Sequence, residues 1–180
     1  TDGDDPAGEY IELYNRSEST VSLTGWQLID EEGVLYTFTS GTIEAYSYMV
    51  ACCDASAIMS HYGSTNAVGD FITSGDRLSN GGERLTLVNG QGAVVDAVDY
   101  DDTPPWPIRP DQMGVSLECL DPLSDNNQPE NWRSCTVSEP TAPSSPAVGD
   151  EYFLTCGTPG QANSRTSSGL PPFVDIDQFK

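Results

Sequence analysis

Catalytic chemistry has few candidate residues in this chain of 180 residues. The only histidine is His61, so a Ser-His-Asp arrangement has one candidate base and no partner at a recognisable spacing. Two adjacent carboxylate pairs, Glu31 with Glu32 and Asp101 with Asp102, have the residue types of a glycosidase acid and base. A chain with 28 Asp and Glu residues produces such pairs without function. We therefore predict that the chain is not an enzyme.

Clusters of aspartate in turn-like segments are the candidate metal ligands. Calcium is the cation that they fit, because it prefers hard oxygen ligands, although no segment matches the twelve-residue EF-hand loop. Asx turns and helix caps are the competing explanation. Calcium stays open as the one cofactor. The candidate ligands are Asp2, Asp4, Asp5, Asp99, Asp101 and Asp102.

Five cysteines and no CxxC or Cys/His pattern favour disulfides over a zinc site, and hence an oxidising compartment. We predict a bridge from Cys135 to Cys156, which bracket a proline-rich stretch whose closure would restrict the unfolded chain. A second bridge would join Cys52 or Cys53 to Cys119. The fifth cysteine would then be a thiol or form an intermolecular bond.

The charge balance excludes two classes of partner. The formal net charge is −21, with only seven basic residues, and Lys180 is the sole lysine. Such a surface repels nucleic-acid phosphates and anionic lipids. The sequence has no apolar run long enough to span a membrane. We expect a location outside the cell or on its surface, and, since the chain does not begin with Met, a processed form or one repeat of a longer protein.

Two further residues invite a binding interpretation. Trp106 lies among prolines and could be a sugar-stacking platform or a plug in the core at one end of the fold, and we favour the plug. Asn15, with Ser17, forms an N-glycosylation sequon, a pattern short enough to arise by chance.

Short alternating segments separated by turns indicate an all-β sandwich or barrel in one domain. One helix is predicted at residues 54–62, with Asp54 as its cap and Ile58, Met59 and Tyr62 toward the core. In the segment 34–38 the alternation places Val34, Tyr36 and Phe38 on one face. The predicted strand segments lie at residues 9–14, 21–23, 25–29, 34–38, 42–43, 47–52, 84–88, 93–100 and 114–119.

An ordered series of segments resembles the lamin-tail domain. It comprises GEYIELYN (8–15), VSLTGWQL (21–28), LSNGGERLTL (78–87), GAVVDAVDY (92–100), SLE (116–118), NWR (131–133) and GTPG (157–160). The resemblance covers roughly residues 8–163. It implies an immunoglobulin-like β-sandwich, as found in nuclear lamins and in secreted or surface proteins of bacteria and archaea, to which the predicted short helix is added. These modules have structural or interaction roles and no transferable catalytic signature.

The chain departs from that family at its start, where a first strand of the form Val-x-Ile-Asn-Glu-(Ile/Phe) is missing. Residues 174–179, VDIDQF, are similar to that strand. We predict a sandwich at residues 1–162, a linker at 163–172 and an extended C-terminal donor strand at 173–180. Alternation directs Val174, Ile176 and Gln178 one way. The residues facing the other way are Phe173, Asp175, Asp177 and Phe179.

The tail strand leads to a function prediction. We expect it to complete the sandwich of a neighbouring copy, since the extended linker can span roughly 30 Å and donated strands satisfy unpaired sheet edges. Head-to-tail exchange that does not close produces a filament or surface array. Two alternatives stay open: the tail folds back on its own domain, or the chain is a carbohydrate- or protein-binding module of a larger surface protein.

Overall fold

The computed structural model describes residues 9–62, 66–71, 78–108, 116–134 and 175–177, and only the backbone of residues 61, 62 and 175–177. It confirms an all-β sandwich with one short helix, α1 (Ala55–Tyr62). The strands are β1 (Tyr10–Tyr14), β2 (Val21–Ser22), β3 (Gln27–Ile29), β4 (Val34–Thr37), β5 (Thr42–Ile43), β6 (Tyr48–Cys52), β7 (Ala67–Gly69), β8 (Gly82–Val88), β9 (Val94–Asp101), β10 (Leu117–Cys119), β11 (Trp132–Ser134) and β12 (Asp175–Asp177).

Two sheets form the sandwich. The front sheet has the strand order β11-β10-β12-β1-β6-β7, and the back sheet has the order β4-β3-β8-β9. The strands β2 and β5 form a separate two-stranded ladder. Neighbouring strands are antiparallel except β6 and β7, which are parallel.

The core lies between the two sheets and follows the alternation of the strands. Ile11 and Leu13 of β1 project into the same buried cluster as Leu28, Leu85 and Val98 of the back sheet. Each fully buried side chain of this size contributes about 1.5–3 kcal/mol through removal of apolar surface from water. This shared cluster is what holds the sheets face to face.

The outer face of the front sheet is also covered. Tyr10, Val50, Cys52 and Ile58 form a second buried cluster between the sheet and α1. All five residues of β6 are therefore buried, from one side by the core and from the other by the helix. This double burial makes β6 and its neighbour β1 the interior of the fold.

The helix begins where the sequence predicts but presents a narrower apolar face. The Ala57 backbone N–H donates to Asp54 Oδ1 at 2.9 Å, which confirms the N-cap. Ile58 is buried as expected, whereas Met59 is 43% exposed, so its predicted core position is wrong. One residue is about 100° of rotation on a helix, so Met59 leaves the stripe that Ile58 occupies. The side chains of Tyr62 and His61 lie outside the described residues.

The alternation predicted for β4 is wrong at its start. Val34 is 49% exposed, and Leu35 is buried in its place. The pairing with β3 shifts at this point, so Leu35 is an extra residue that faces no partner on β3. A bulge of this kind reverses the inside and outside positions of the strand before it. Phe38 lies in the core as predicted.

Asn15 is a structural tie rather than an exposed glycan acceptor. Its side-chain Nδ2 donates to the carbonyls of Ser19, Ile43 and Glu44 at 2.8, 3.0 and 3.0 Å. Its Oδ1 accepts hydrogen bonds from the backbone N–H and hydroxyl of Ser17. The residue is buried. It therefore joins the end of β1 to the region of β5. The Asn15 side chain and the Ser17 hydroxyl of the sequon are both engaged in these local hydrogen bonds.

We predict that Asn15→Ala lowers the free energy of unfolding by about 2–3 kcal/mol, because it removes three hydrogen bonds to backbone carbonyls, one of them the buried bond to Ile43 O. Urea denaturation measures this change. Asn66→Ala is the matched control, since Asn66 makes one side-chain bond of 3.3 Å to Tyr48 O. An equal loss in both variants would contradict the role given to Asn15.

Candidate functional site

The C-terminal strand β12 lies between β1 and β10 in the front sheet, a position that we call the slot. It is antiparallel to both neighbours. In register, Asp177 is opposite Tyr10, and Ile176 is opposite both Ile11 and Leu117. The last described segment of the chain is thus a central strand rather than an edge strand.

The slot connects two parts of the front sheet that do not pair with each other. Among the described strands, β1 pairs with β12 and β6, and β10 pairs with β11 and β12. Backbone hydrogen-bonding groups at the facing edges of β1 and β10 need a partner in the folded state. The tail supplies that partner for both edges at once.

The inward row of the slot is apolar. Ile176 stands in register between Ile11 and Leu117, which are 3% and 4% exposed and belong to the main core. Alternate residues of a strand face the same side of a sheet. Ile176 is therefore at the register position that continues the core across the sheet.

The outward row is acidic. Asp175 is opposite Glu118, whose side chain is 6% exposed. Arg133 of β11 forms an ion pair with Glu118: its Nε donates to Glu118 Oε2 at 2.8 Å, and its Nη2 lies 2.8 Å from the same oxygen. The register therefore places Asp175 opposite a buried carboxylate, Glu118, and the nearby cation Arg133 is already paired with that carboxylate. Like charges opposite each other on a sheet weaken the pairing.

The structure locates the predicted donor strand only in part. Asp175, Ile176 and Asp177 form β12 in the slot of their own chain, which corresponds to the folding-back alternative. Phe173, Val174, Gln178 and Phe179 lie outside the described residues. Donation of the strand to a neighbouring copy stays a prediction.

An apolar cavity of about 220 Å³ lies next to the slot, between the two sheets. Ile11 and Leu13 of β1 form one wall, and Leu85, Leu87 and Val98 of the back sheet contribute to the other. At the surface the cavity is bordered by polar side chains and by two apolar residues of the loop and strand there. The residues at this mouth are Arg16, Asp96, Asn126, Val95 and Pro122, and the buried Asn15 also lines the cavity.

The disulfide predicted between Cys52 or Cys53 and Cys119 is not formed. The three sulfurs act as buried thiols that donate weak hydrogen bonds. The acceptors are Val68 O for Cys52 at 3.4 Å, Glu9 Oε2 for Cys53 at 3.5 Å and Asp121 O for Cys119 at 3.6 Å. Each of these small side chains fills a core or sheet position.

Thiol reactivity at Cys52 is also suppressed. Burial raises the pKa of the Cys52 thiol to about 12, and the carboxylates of Asp54 and Asp70 act in the same direction. The thiolate is the reactive species, so this cysteine is inert near neutral pH. The predicted bridge between Cys135 and Cys156 lies outside the described residues.

The candidate calcium ligands that are described serve turns and ion pairs. Asp99 forms a salt bridge with Arg84. Asp101 accepts hydrogen bonds from the hydroxyl and backbone N–H of Thr103 at 2.6 and 2.7 Å, which lower the pKa of its carboxyl. Asp102 is half-buried beside it. Within the described ranges no three acidic, Cys or His side chains are grouped to hold a metal. Asp2, Asp4 and Asp5 lie outside those ranges, and calcium stays a prediction.

Trp106 is a core residue, as favoured from the sequence. It is 9% exposed, and its ring centroid lies 5.9 Å from that of Trp132 in β11. A stacking platform for sugars needs an exposed ring face, which this tryptophan does not present. Trp106 and Trp132 instead close one end of the core.

Sequence reasoning missed the walls of the slot. The sequence predicts strands that contain Ile11 and Leu117, but it does not predict that they flank the tail strand or that Glu118 pairs with Arg133. A signal was present in β1, where Tyr10 and Glu12 alternate with Ile11 and Leu13 and all four are buried. A strand that is buried on both faces and includes a carboxylate indicates an interior position with neighbours on each side.

The comparisons agree with this architecture. The family model described as Lamin Tail Domain matches residues 1–102 of the chain. No curated protein matches the sequence.

Within the described residues, no helix is both long enough and apolar enough to cross a lipid bilayer.

We predict that Asp175→Asn seats the tail strand more firmly, because it removes the like charge opposite Glu118. Amide hydrogen exchange in β1 and β10, followed by mass spectrometry on the full chain, should slow by about twofold to fivefold. The gain should shrink at high salt, which screens the repulsion in the original chain.

Asp177→Asn is the matched control for this variant. It removes the same charge from the same strand, but Asp177 is opposite Tyr10 rather than a carboxylate. Equal slowing in both variants, or faster exchange in Asp175→Asn, would show that the acidic row does not control seating.

Proposed function

The chain belongs to the lamin tail domain family, and on that premise we propose that it is a structural subunit whose copies exchange the C-terminal strand head-to-tail. Each copy would complete the slot of the next one. The product is a filament or surface array outside the cell. A structural or binding role without catalysis is what an immunoglobulin-like module of this family provides.

The observation that carries the proposal is the position of β12. A central strand of the front sheet comes from the far end of the chain, and residues 135–174 separate it from β11. The predicted linker at residues 163–172 can span roughly 30 Å if it is extended. The strand can therefore reach the slot of its own domain or that of an adjacent copy.

Concentration decides between the two destinations. Exchange between copies replaces each strand pairing by an identical one. The free-energy difference between the self-completed chain and the exchanged assembly therefore comes from the linker and from protein concentration. A short tether would give a strand an effective concentration of about millimolar at the slot of its own chain. We expect self-completion in dilute solution and exchange at high local concentration, as on a crowded cell surface.

The geometry of exchange favours an open polymer. The donor is at one end of the chain, and the acceptor slot is formed by other strands, so the contact is head-to-tail rather than self-complementary. Such contacts continue into filaments unless the rotation between copies closes a ring. The net charge of −21 keeps polymers soluble in a salty exterior and discourages nucleic-acid and membrane partners.

A binding module is the second candidate function, and the cavity beside the slot is the observation that favours it. Its apolar walls and polar mouth have the character of a ligand site. Burial of Trp106 removes the sugar platform that the sequence offered, so a peptide or protein partner fits this alternative better than a carbohydrate.

We predict that Ile176→Asp abolishes assembly, because it places a charge at the register position between Ile11 and Leu117 in the core. Light scattering after size-exclusion chromatography, together with electron microscopy, should show polymers of the original chain that increase with concentration. Ile176→Val is the matched control and should keep assembling.

Deletion of residues 170–180 tests the same proposal independently. The shortened chain should remain monomeric at every concentration, because it cannot donate a strand. Polymers that persist after the deletion, or an original chain that stays monomeric at millimolar concentration, would contradict strand exchange.

A further inference from the structure

Exposed apolar side chains surround the mouth of the cavity, and we call this group the rim. Its members Val94, Val95 and Leu123 are 65%, 47% and 69% exposed. Val95 borders the cavity itself, and Leu123 follows Pro122, which also borders it. A group of exposed apolar residues edged by polar ones marks an interaction site, whereas single ones are normal on a protein surface. The rim extends the apolar lining of the cavity onto the surface.

A bulge in β9 determines which side chains reach the mouth. The register of β9 with β8 shifts between Leu87 and Val88, which leaves Val95 without a counterpart on β8. A bulge of this kind re-aims the side chains around it. Beyond the bulge, Asp96 lies on the same face of β9 as the core residue Val98. The strand thus begins with one apolar and one carboxylate side chain at the cavity.

The loop at residues 121–128 is fixed against the same end of β9. Asn126 Nδ2 donates to Asp96 Oδ2 at 2.9 Å. Asp99 N donates to Asn127 Oδ1 at 2.8 Å. The exposed leucine of the loop is therefore held in place before any partner binds, which lowers the ordering cost of association.

The loop also gives the mouth a negative charge. Asp121 and Asp125 accept hydrogen bonds from backbone N–H groups and side chains of the loop, which lower the pKa of both carboxyls. Both are therefore ionised near neutral pH. Asp96 adds a third carboxyl, and Arg16 supplies a positive charge that offsets one of them. The balance among these four groups is acidic.

Asp96 is the carboxyl that an additional cation would stabilise most. Burial raises the pKa of Asp96, and repulsion from Asp125 acts in the same direction. Hydrogen bonds from Ala97 N and Asn126, together with the charge of Arg16, offset only part of this increase. A cation that approached from a partner would favour the ionised form of Asp96.

The charge of the chain selects among the possible occupants of the cavity. A second copy carries the same net charge of −21, and like charges oppose its approach to an acidic mouth. The segment 135–174 of the same chain contains Glu139, Asp150 and Glu151 but a single basic residue, Arg165. A basic partner is complementary to this surface, whereas neither of those occupants is.

The size of the cavity fits one large apolar side chain. Its volume of about 220 Å³ exceeds the roughly 150 Å³ of an engineered apolar cavity that binds benzene. Leu13, Leu85 and Val98 in its walls present hydrocarbon. The cavity therefore has room for a phenyl group, and filling it would give these walls van der Waals partners that an empty space lacks.

We propose that the cavity and its rim bind a basic segment of a different protein, in which a large apolar side chain lies between Lys or Arg residues. The apolar side chain fills the cavity, and the cations face Asp96, Asp121 and Asp125. A small ligand would leave Val95 and Leu123 uncovered, so the partner is a polypeptide. This inference rests on the second candidate function, the binding module, and gives it a site and a partner chemistry. It does not depend on strand exchange.

The test measures binding of short fluorescent peptides to the full chain by fluorescence polarisation at low salt. In the first peptide, lysines alternate with serines around one central phenylalanine. Two matched peptides carry alanine in place of the phenylalanine, or glutamate in place of every lysine. We expect the first peptide to bind at least about tenfold more tightly than either of the others, because each of them lacks one half of the recognition.

Substitutions in the rim test the apolar half of the site. Val95→Ser and Leu123→Ser should each weaken binding of the first peptide by about threefold to tenfold. Val34→Ser is the matched control and should leave the affinity unchanged. Val34 is 49% exposed and lies in β4, at the opposite edge of the back sheet from β9.

Asp125→Asn tests the acidic half. It removes a charge but keeps an oxygen that can accept the hydrogen bond from Asn127 N. The affinity should decrease by about twofold to fivefold at low salt, and the difference should shrink at high salt. Glu32→Gln, in the turn between β3 and β4, removes an exposed carboxylate far along the sheet and should have no effect.

Equal affinity for the three peptides, or equal losses in Val95→Ser and Val34→Ser, would overturn the proposed site. Peptide discrimination that no rim variant alters would also overturn it, while retaining a binding module whose site lies elsewhere. Near-ultraviolet circular dichroism verifies that each variant is folded. The oligomeric state of the same samples separates this inference from strand exchange, because the rim variants leave β12 unchanged and should assemble as the original chain does.

Discussion

The pairing of β12 with both β1 and β10 is the interaction on which the front sheet depends. Neither of those strands pairs with the other among the described residues, so the sheet is continuous only because the tail bridges them. The bridge also places Ile176 in register between two core residues, Ile11 and Leu117. Hydrogen bonding and hydrophobic burial therefore depend on the same short strand.

This dependence is the basis of the proposed strand exchange. A central strand that follows a long connection can be supplied by the same chain or by another one without any change in its contacts. The core between the sheets, the burial of β6 on both faces and the Asn15 hydrogen bonds hold the rest of the domain together. The slot is thus a defined acceptor in a scaffold that other interactions stabilise.

Alternation and family-like segments predicted the fold well, because Ile11, Leu13, Leu28 and Phe38 obey the periodicity of exposed and buried faces. The errors arose where local geometry overrides that periodicity. A bulge moved Leu35 into the core instead of Val34, and the rotation of one helical residue exposed Met59. The strands β7 and β11 have three residues each, too few for a periodic signal. The acidic row and the cavity depend on strand register, which sequence alone does not specify.

Which chain fills the slot is the central question, and a cysteine pair answers it most directly. Asp175 and Glu118 are opposite each other in register, so the double variant Asp175→Cys with Glu118→Cys can form a disulfide across the slot. After oxidation of assembled protein, a denaturing gel without reductant should show a ladder of covalent oligomers that collapses to one band on reduction. The single variant Glu118→Cys should show no ladder. Covalent monomers alone, at every protein concentration, would mean that each chain fills only its own slot and would contradict the account.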